Sequence, residues 1–172
     1  MATTTTSSRP LVGILFIIAG ALALLTLLLA YVAPGATPSW FPPLTSLALG
    51  VGLLLMGLSR SMNVLERVAF IVGAVGWLLL ALNGLTGGGL GGVITVALIL
   101  ALVGSLAAGI LVWIHSTFTR RTNLWFLIAM IITAIFVLNQ LLPFASGIIA
   151  TLLVLLFGAA LVVAGFFILR RK

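Results

Sequence analysis

Residues 90–142 read LGGVITVALILALVGSLAAGILVWIHSTFTRRTNLWFLIAMIITAIFVLNQLL. Two apolar runs, 90–115 and 123–142, are joined by a short polar stretch that carries Arg120 and Arg121. A helix that crosses a bilayer needs about 20 apolar residues, within a range of about 17–25. Lipid offers the backbone no hydrogen-bond partner, so such a run must satisfy its own amides as a helix. The runs are continuous and lack the period-two alternation of a barrel strand. The stretch therefore reads as a membrane hairpin of two helices hinged on arginine.

The same unit recurs on both sides. After a polar tail over 1–10, apolar spans fall near 11–33, 41–59, 64–82, 90–115, 123–142 and 144–169, and a basic end closes the chain at 170–172. The sequence thus predicts an all-α fold, a polytopic bundle of six transmembrane helices in one domain over 11–169. The second span is the shortest. Trp40 and Phe41 suit the interfacial belt, and Pro42 and Pro43 are tolerated in a first helical turn. The first apolar run has 23 residues, Leu11–Ala33, against about 7–15 for a signal peptide. With Pro34 directly after it, a retained span is expected. The connections are too short to hold a folded domain outside the membrane.

All eight basic residues sit in alternate gaps: Arg9; Arg60 and Arg67; Arg120 and Arg121; then Arg170, Arg171 and Lys172. The gaps near 34–43, 83–92 and 139–146 hold no charge. Lys and Arg accumulate on the cytoplasmic side of membrane proteins. These residues are therefore topology-determining, and both termini are expected in the cytoplasm, in a plasma membrane of the bacterial inner-membrane kind. A charged content of 5%, against about 25% in soluble domains, excludes a water-soluble fold. A net charge of +7 could suggest nucleic acid, but no basic, aromatic-interleaved face exists to grip a phosphate backbone. The expected partner of these charges is the anionic headgroup layer, at about 1 kcal/mol per charge. The chain has no cysteine, which excludes disulfides and thiol chemistry.

Glycine recurs at a seven-residue spacing: Gly13 and Gly20, Gly50 and Gly57, Gly158 and Gly165. Seven residues is close to two helical turns, so each pair shares a face. Small residues let membrane helices approach closely. These six are the helix-packing candidates, either inside the bundle or at a contact with a second copy or another membrane protein. Gly73, Gly76, Gly104 and Ala108 notch the third and fourth spans in the same way. The glycine-rich run Asn83–Gly92 lacks the preceding strand and the lysine of a phosphate loop. It reads as an outer turn, with a re-entrant helix start as the alternative. The tetrads 43–46 and 143–146 both open a return helix. Three parallel hairpins and a 3+3 inverted repeat both fit.

Few groups could carry chemistry. Glu66 is the sole acid and reads as a cap at a helix start, favourable to the dipole. His115 is the sole histidine. Both should lie at one depth on the inner side, where an acid/base pair or a pH sensor is a remote option. Two candidate ligands fall short of the three or four a metal needs. Ser105 and His115 stand about 15 Å apart along one helix, too far to act together. No catalytic, cofactor or metal residue is expected, and the chain reads as no enzyme. Thr26, Thr95, Ser105, Thr133 and Thr151 are expected to bond back to their own helix or to tie two helices. Asn83, Asn139 and Gln140 are expected to cap the outer helix ends, with a polar outer vestibule as the alternative.

The stretch Trp125–Lys172 combines glycine-bearing spans with Pro143 and Ser146 at the turn and Gly158 and Gly165 in the return helix. On these residues the chain resembles the HdeD-like acid-resistance membrane proteins. The match covers under a third of the chain, and the first hairpin departs from it with the loop Pro34–Pro38. The resemblance implies a six-span, stress-related membrane protein and carries over no catalytic residue. The expected function is that of a small non-enzymatic membrane protein acting through helix packing, as a structural, stress-related or accessory subunit. The alternative is a channel or transporter for a neutral or lipid-like small solute.

Overall fold

A computed structural model describes residues 9–59, 62–115 and 117–170. Six helices account for nearly all of them: α1 Arg9–Val32, α2 Phe41–Gly57, α3 Val64–Leu85, α4 Val93–His115, α5 Arg120–Leu141 and α6 Gly147–Leu169. No strand occurs among the described residues. Five of the six are long and apolar enough to cross a membrane. The exception, α2, has 17 residues, at the lower edge of the spanning range. Its register shows that it still traverses the bundle. Pro43 packs at Gly84 near one end, Gly50 lies against Leu78, and Gly57 meets Ile71 and the Arg67 carbonyl near the other.

Helix ends depart from the sequence expectation by about a turn, for local reasons. Helix α5 starts at Arg120 rather than at residue 123, because the Thr119 side chain accepts from the Thr122 amide. Arg120 and Arg121 therefore lie in its first turn, where positive charge opposes the helix dipole at a cost of a few tenths of a kcal/mol. Helix α6 starts at Gly147 rather than at 144, after the extended Ser146. Helix α3 runs on to Leu85, and α4 waits until Val93. Between them Gly87, Gly88 and Gly91 take positive φ, which costs glycine nothing. The run 83–92 is thus a helix end followed by a turn.

The helices form a closed ring. Each packs on its sequence neighbours and α1 closes on α6, with no close backbone approach across the ring among the described residues. All neighbours are antiparallel, so the chain enters and leaves at one end. Arg67, Arg120, Arg121 and Arg170 stand at that end, called here the basic end. Arg60, Arg171 and Lys172 lie outside the described residues. The loops 33–40, 86–92 and 142–146 mark the opposite, uncharged end.

Lipid provides no hydrophobic drive between helices, so ring closure rests on close packing. Two seams are built on small residues. On α1–α6, a Cβ at Gly13 would stand 2.8 Å from the Gly165 carbonyl oxygen, and one at Gly165 would stand 2.6 Å from the Gly13 oxygen. Gly20 and Gly158 face each other in the same manner one heptad on. On α3–α4, Gly73 sits against Gly104, and Gly76 against Ala101 and Ala97. The α5–α6 seam is made instead of aromatic pairs, Trp125 on Phe167 at 5.9 Å and Phe136 on Phe157 at 4.5 Å. Large rings hold those helices apart, and this is the loosest seam of the six.

The space inside the ring is filled by large side chains that reach across it. Phe126 of α5 meets Phe16 of α1 at 5.9 Å and Phe70 of α3 at 5.8 Å. Leu49, Leu53, Met130 and Leu161 complete a core that is fully buried. Toward the uncharged end the packing thins. Leu28, Tyr31 and Val32 on α1 and Ile148, Ile149 and Leu152 on α6 are all more than half exposed. Inside the ring, space opens toward the uncharged end, a splay lined by Pro42, Trp77, Phe136 and Gln140.

Candidate functional site

The splay opens a vestibule bounded by all six helices. One lobe, of about 430 Å³, lies toward α3 and α4 and reaches Asn83, Ile94 and Leu98. The second, of about 250 Å³, lies toward α1 and α6 and reaches Thr26, Thr45 and Val154. Pro42, Ser46, Trp77, Phe136 and Gln140 line both lobes. No lining residue is ionisable.

Trp77 and Phe157 form its floor. Their rings stack at 6.2 Å and 15°, and Phe136 stacks on Phe157 from α5. The Trp77 indole N–H donates to the Ser105 hydroxyl at 3.1 Å, so a fully buried polar pair fixes the floor to α4. A buried indole N–H without a partner would be destabilising.

The hydroxyls and amides of the lining are partly used. Thr26 donates to the Leu22 carbonyl and Thr45 to the Phe41 carbonyl, leaving oxygens that can still accept. Asn83 accepts the Leu90 amide through Oδ1 at 3.2 Å, which ties the glycine turn down and leaves its NH2 group free. Ser46 and Gln140 make no side-chain hydrogen bond among the described residues. Asn139 turns away and accepts the Ala145 amide at 2.8 Å, as a cap of the α5–α6 turn. Of the three outer amides, then, two line the vestibule and one caps.

A polar knot closes the basic end. Asn63 and Glu66 form a capping box at the start of α3. Glu66 N–H donates to Asn63 Oδ1 at 2.8 Å, and Asn63 N–H donates to Glu66 Oε2 at 3.1 Å. Glu66 Oε1 also accepts the Thr117 hydroxyl from the α4–α5 loop and lies 3.5 Å from His115 Nδ1. The His115 ring is in turn 3.1 Å from Asn63 Nδ2. The same loop is braced by Asn123, which accepts the Phe118 amide at 2.9 Å and donates back to the Phe118 carbonyl at 3.2 Å. One buried carboxylate thereby ties α3, the end of α4 and the loop into α5. His115 is itself exposed at the surface.

The glycine candidates separate by seam. Gly13, Gly20, Gly158 and Gly165 meet one another between α1 and α6, while Gly50 and Gly57 face α3. The five hydroxyls expected inside the membrane do not converge. Ser105 holds Trp77, Thr133 is fully buried with its hydroxyl unpartnered, Thr95 is exposed, and Thr151 pairs with Tyr31 at 2.6 Å. Among the described residues no cluster of three or more metal-ligating side chains occurs. The sequence reading missed Thr117, whose role exists only once the α4–α5 loop meets the start of α3, and Asn63, whose spacing of three from Glu66 was the local signal of a capping box.

No protein-family model matches the chain, nor does any curated protein or any solved structure. The chain stands on its composition and geometry as a multi-pass helical membrane protein.

Proposed function

We propose that this is a non-enzymatic multi-pass protein of the plasma membrane, of the bacterial inner-membrane kind, with the basic end and both termini in the cytoplasm. It acts through helix packing, as a structural, stress-related or accessory subunit. One observation carries the reading: the residues with chemical potential are already used in holding the bundle together. Glu66 and His115 tie three elements at the basic end, and the paired glycines close the ring. What remains outward is aliphatic, from Leu28 on α1 through Val68 and Val103 to Leu155 on α6, a surface suited to lipid and to another apolar helix. Arg67, Arg120, Arg121 and Arg170 at one end support the orientation and would meet anionic headgroups. The stress-related part of the reading rests on the HdeD-like resemblance, carried by Pro143, Ser146, Gly158 and Gly165.

The test is gentle purification of the native protein from its own membrane, with measurement of complex mass and identification of what travels with it. A reproducible heteromeric complex is expected. A lone monomer would overturn the accessory role. Because the chain lacks cysteine, a single Thr37→Cys or Lys172→Cys reports orientation cleanly. An impermeant maleimide should label the first from outside and the second only after lysis.

A second reading, a carrier or channel for a neutral solute, is favoured by the vestibule. The aromatic floor and the packed half beneath it close the path toward the basic end.

A further inference from the structure

We propose that the vestibule is a binding site for one small neutral molecule with a flat apolar body and a hydrogen-bonding head. The inference shares its site with the second reading above but does not depend on passage across the membrane.

Three features of the cavity define the ligand class. The first is charge. All six helices contribute to the lining and none supplies an ionisable group, so an ion entering would lose hydration with no opposite charge to offset the loss. A charged solute is therefore rejected and a neutral one admitted. The second is the floor. The Trp77 N–H is already satisfied by Ser105, so the ring system of Trp77, Phe136 and Phe157 offers only apolar surface and edges. Flat or aliphatic bodies pack there, and aromatic pairs gain about 0.5–1.5 kcal/mol beyond their burial.

The third feature is the set of free polar groups at lining positions. Among the described residues Gln140 and Ser46 make no side-chain hydrogen bond, and Asn83 retains its NH2. Gln140 and Ser46 can each donate and accept, and Asn83 can donate. Gln140 and Ser46 line both lobes, so a head bound between them leaves the body free to enter either side. A few polar groups in a mostly apolar concavity is the usual composition of a small-molecule site. An acyl chain would use the apolar walls but leave the Gln140 amide and the Ser46 hydroxyl unanswered, at a cost for each group desolvated without a partner.

The experiment uses the full chain in nanodiscs of neutral lipid. The probe is 4-fluorobenzamide, a flat neutral ring with an amide head, followed by 19F NMR line width across a titration. Empty nanodiscs report partition into lipid, and 4-fluorobenzoate is the charged comparison. Saturable broadening by the amide, above the lipid background, is expected, and none by the benzoate. Gln140→Leu keeps the volume and removes the head's partner. Loss of one hydrogen bond should weaken binding about tenfold. Ser46→Phe fills the junction of the two lobes and should abolish saturation. Unchanged helicity and elution of both variants establish that the bundle is intact, and Gln140→Leu stands alone if Ser46→Phe fails to fold. Amide broadening that never saturates, or that Gln140→Leu leaves unchanged, would overturn the proposal, as would equal binding of the benzoate. The packing role is untouched by either result, since complex mass and partners are read separately.

Discussion

The ring closes where α1 meets α6, and Gly165→Ala perturbs that closure by one methyl group. A Cβ on Gly165 would lie 2.6 Å from the Gly13 carbonyl oxygen and 2.9 Å from the Ile17 amide nitrogen, both backbone atoms. Ordinary contact begins at 3.4 Å, so the helices must part by about 0.8 Å, because backbone cannot swing aside as a side chain can. A gap of about 0.5–1 Å forfeits a quarter to a half of each contact's attraction. If the seam through Gly13, Ile17, Gly20, Leu24, Gly158, Val162 and Leu169 holds about 40 atom contacts at about 0.15 kcal/mol each, about 1.5–3 kcal/mol is lost. Alanine returns about 1 kcal/mol of helix propensity. The expected net loss is about 0.5–2 kcal/mol. Gly50→Ala gains the same propensity, and a Cβ there would meet Leu78 Cγ at 3.0 Å and Leu78 Cδ2 and backbone N at 3.1 Å, a shortfall of about 0.3–0.4 Å rather than about 0.8 Å, so it should change stability by less than about 0.5 kcal/mol. Combining Gly165→Ala with Gly158→Ala should cost less than the two single losses added, since one separation relieves both clashes. The assay is reversible unfolding from bicelles by titrated detergent, followed by tryptophan emission. A Gly165→Ala protein as stable as wild type, or a Gly50→Ala protein equally weakened, would refute the backbone-contact argument.

Other perturbations test other parts of the bundle. Glu66→Gln keeps one acceptor, for the Asn63 amide, and turns its NH2 to the Thr117 oxygen as a donor, so it should lose under about 1 kcal/mol, whereas Glu66→Ala removes both bonds and should lose about 2; the same unfolding assay compares them, and equal losses would show that the carboxylate's charge matters more than its bonds. Ser105→Ala leaves the Trp77 N–H buried and unpaired and should cost about 1–2 kcal/mol, with a shift in tryptophan emission; no change in either would mean that the pair at 3.1 Å contributes nothing. Relocating charge, with Arg120→Ser and Arg121→Ser combined with Gly89→Arg and Gly92→Arg, should leave a fraction of chains misoriented, read by maleimide labelling of Thr37→Cys; uniform outside labelling would show that the remaining arginines suffice.

The helices were legible because continuous apolar runs admit only one membrane structure, and the ends were legible within a turn. Their order in the ring was not. Each helix is apolar on every side, so no polar face points inward to say which neighbour it meets. The glycine spacing held that information in part. Gly13 and Gly20 on one helix and Gly158 and Gly165 on another repeat at seven residues, and antiparallel helices with equal repeats can align residue for residue. That is how α1 and α6 meet. Depth alone put Glu66 and His115 at one level, but did not place them side by side as they stand at 3.5 Å. Thr117 did not stand out, as one of several threonines in its loop. Asn139 and Gln140 are adjacent in sequence and have opposite fates, one as a cap and one in the vestibule, because a helix turns about 100° per residue.

The vestibule's position follows from where the small residues stop. On α1 the last glycine is Gly20, and twelve residues separate it from the helix end at Val32. On α6 the first after the helix start is Gly158, eleven residues from Gly147. Beyond these points nothing permits backbone contact, so the two helices must diverge toward the uncharged end. Among the described residues, the one side-chain hydrogen bond across this seam is Tyr31 to Thr151 at 2.6 Å, made by a side chain long enough to bridge the gap. Tyr31→Phe should therefore leave global stability within about 1 kcal/mol while loosening the first turns of α6. Hydrogen exchange should rise at residues 148–152 and stay unchanged near Gly158. Equal protection at both places would mean that the splayed end is held by something other than that bond, and that the mouth of the vestibule is as rigid as its floor.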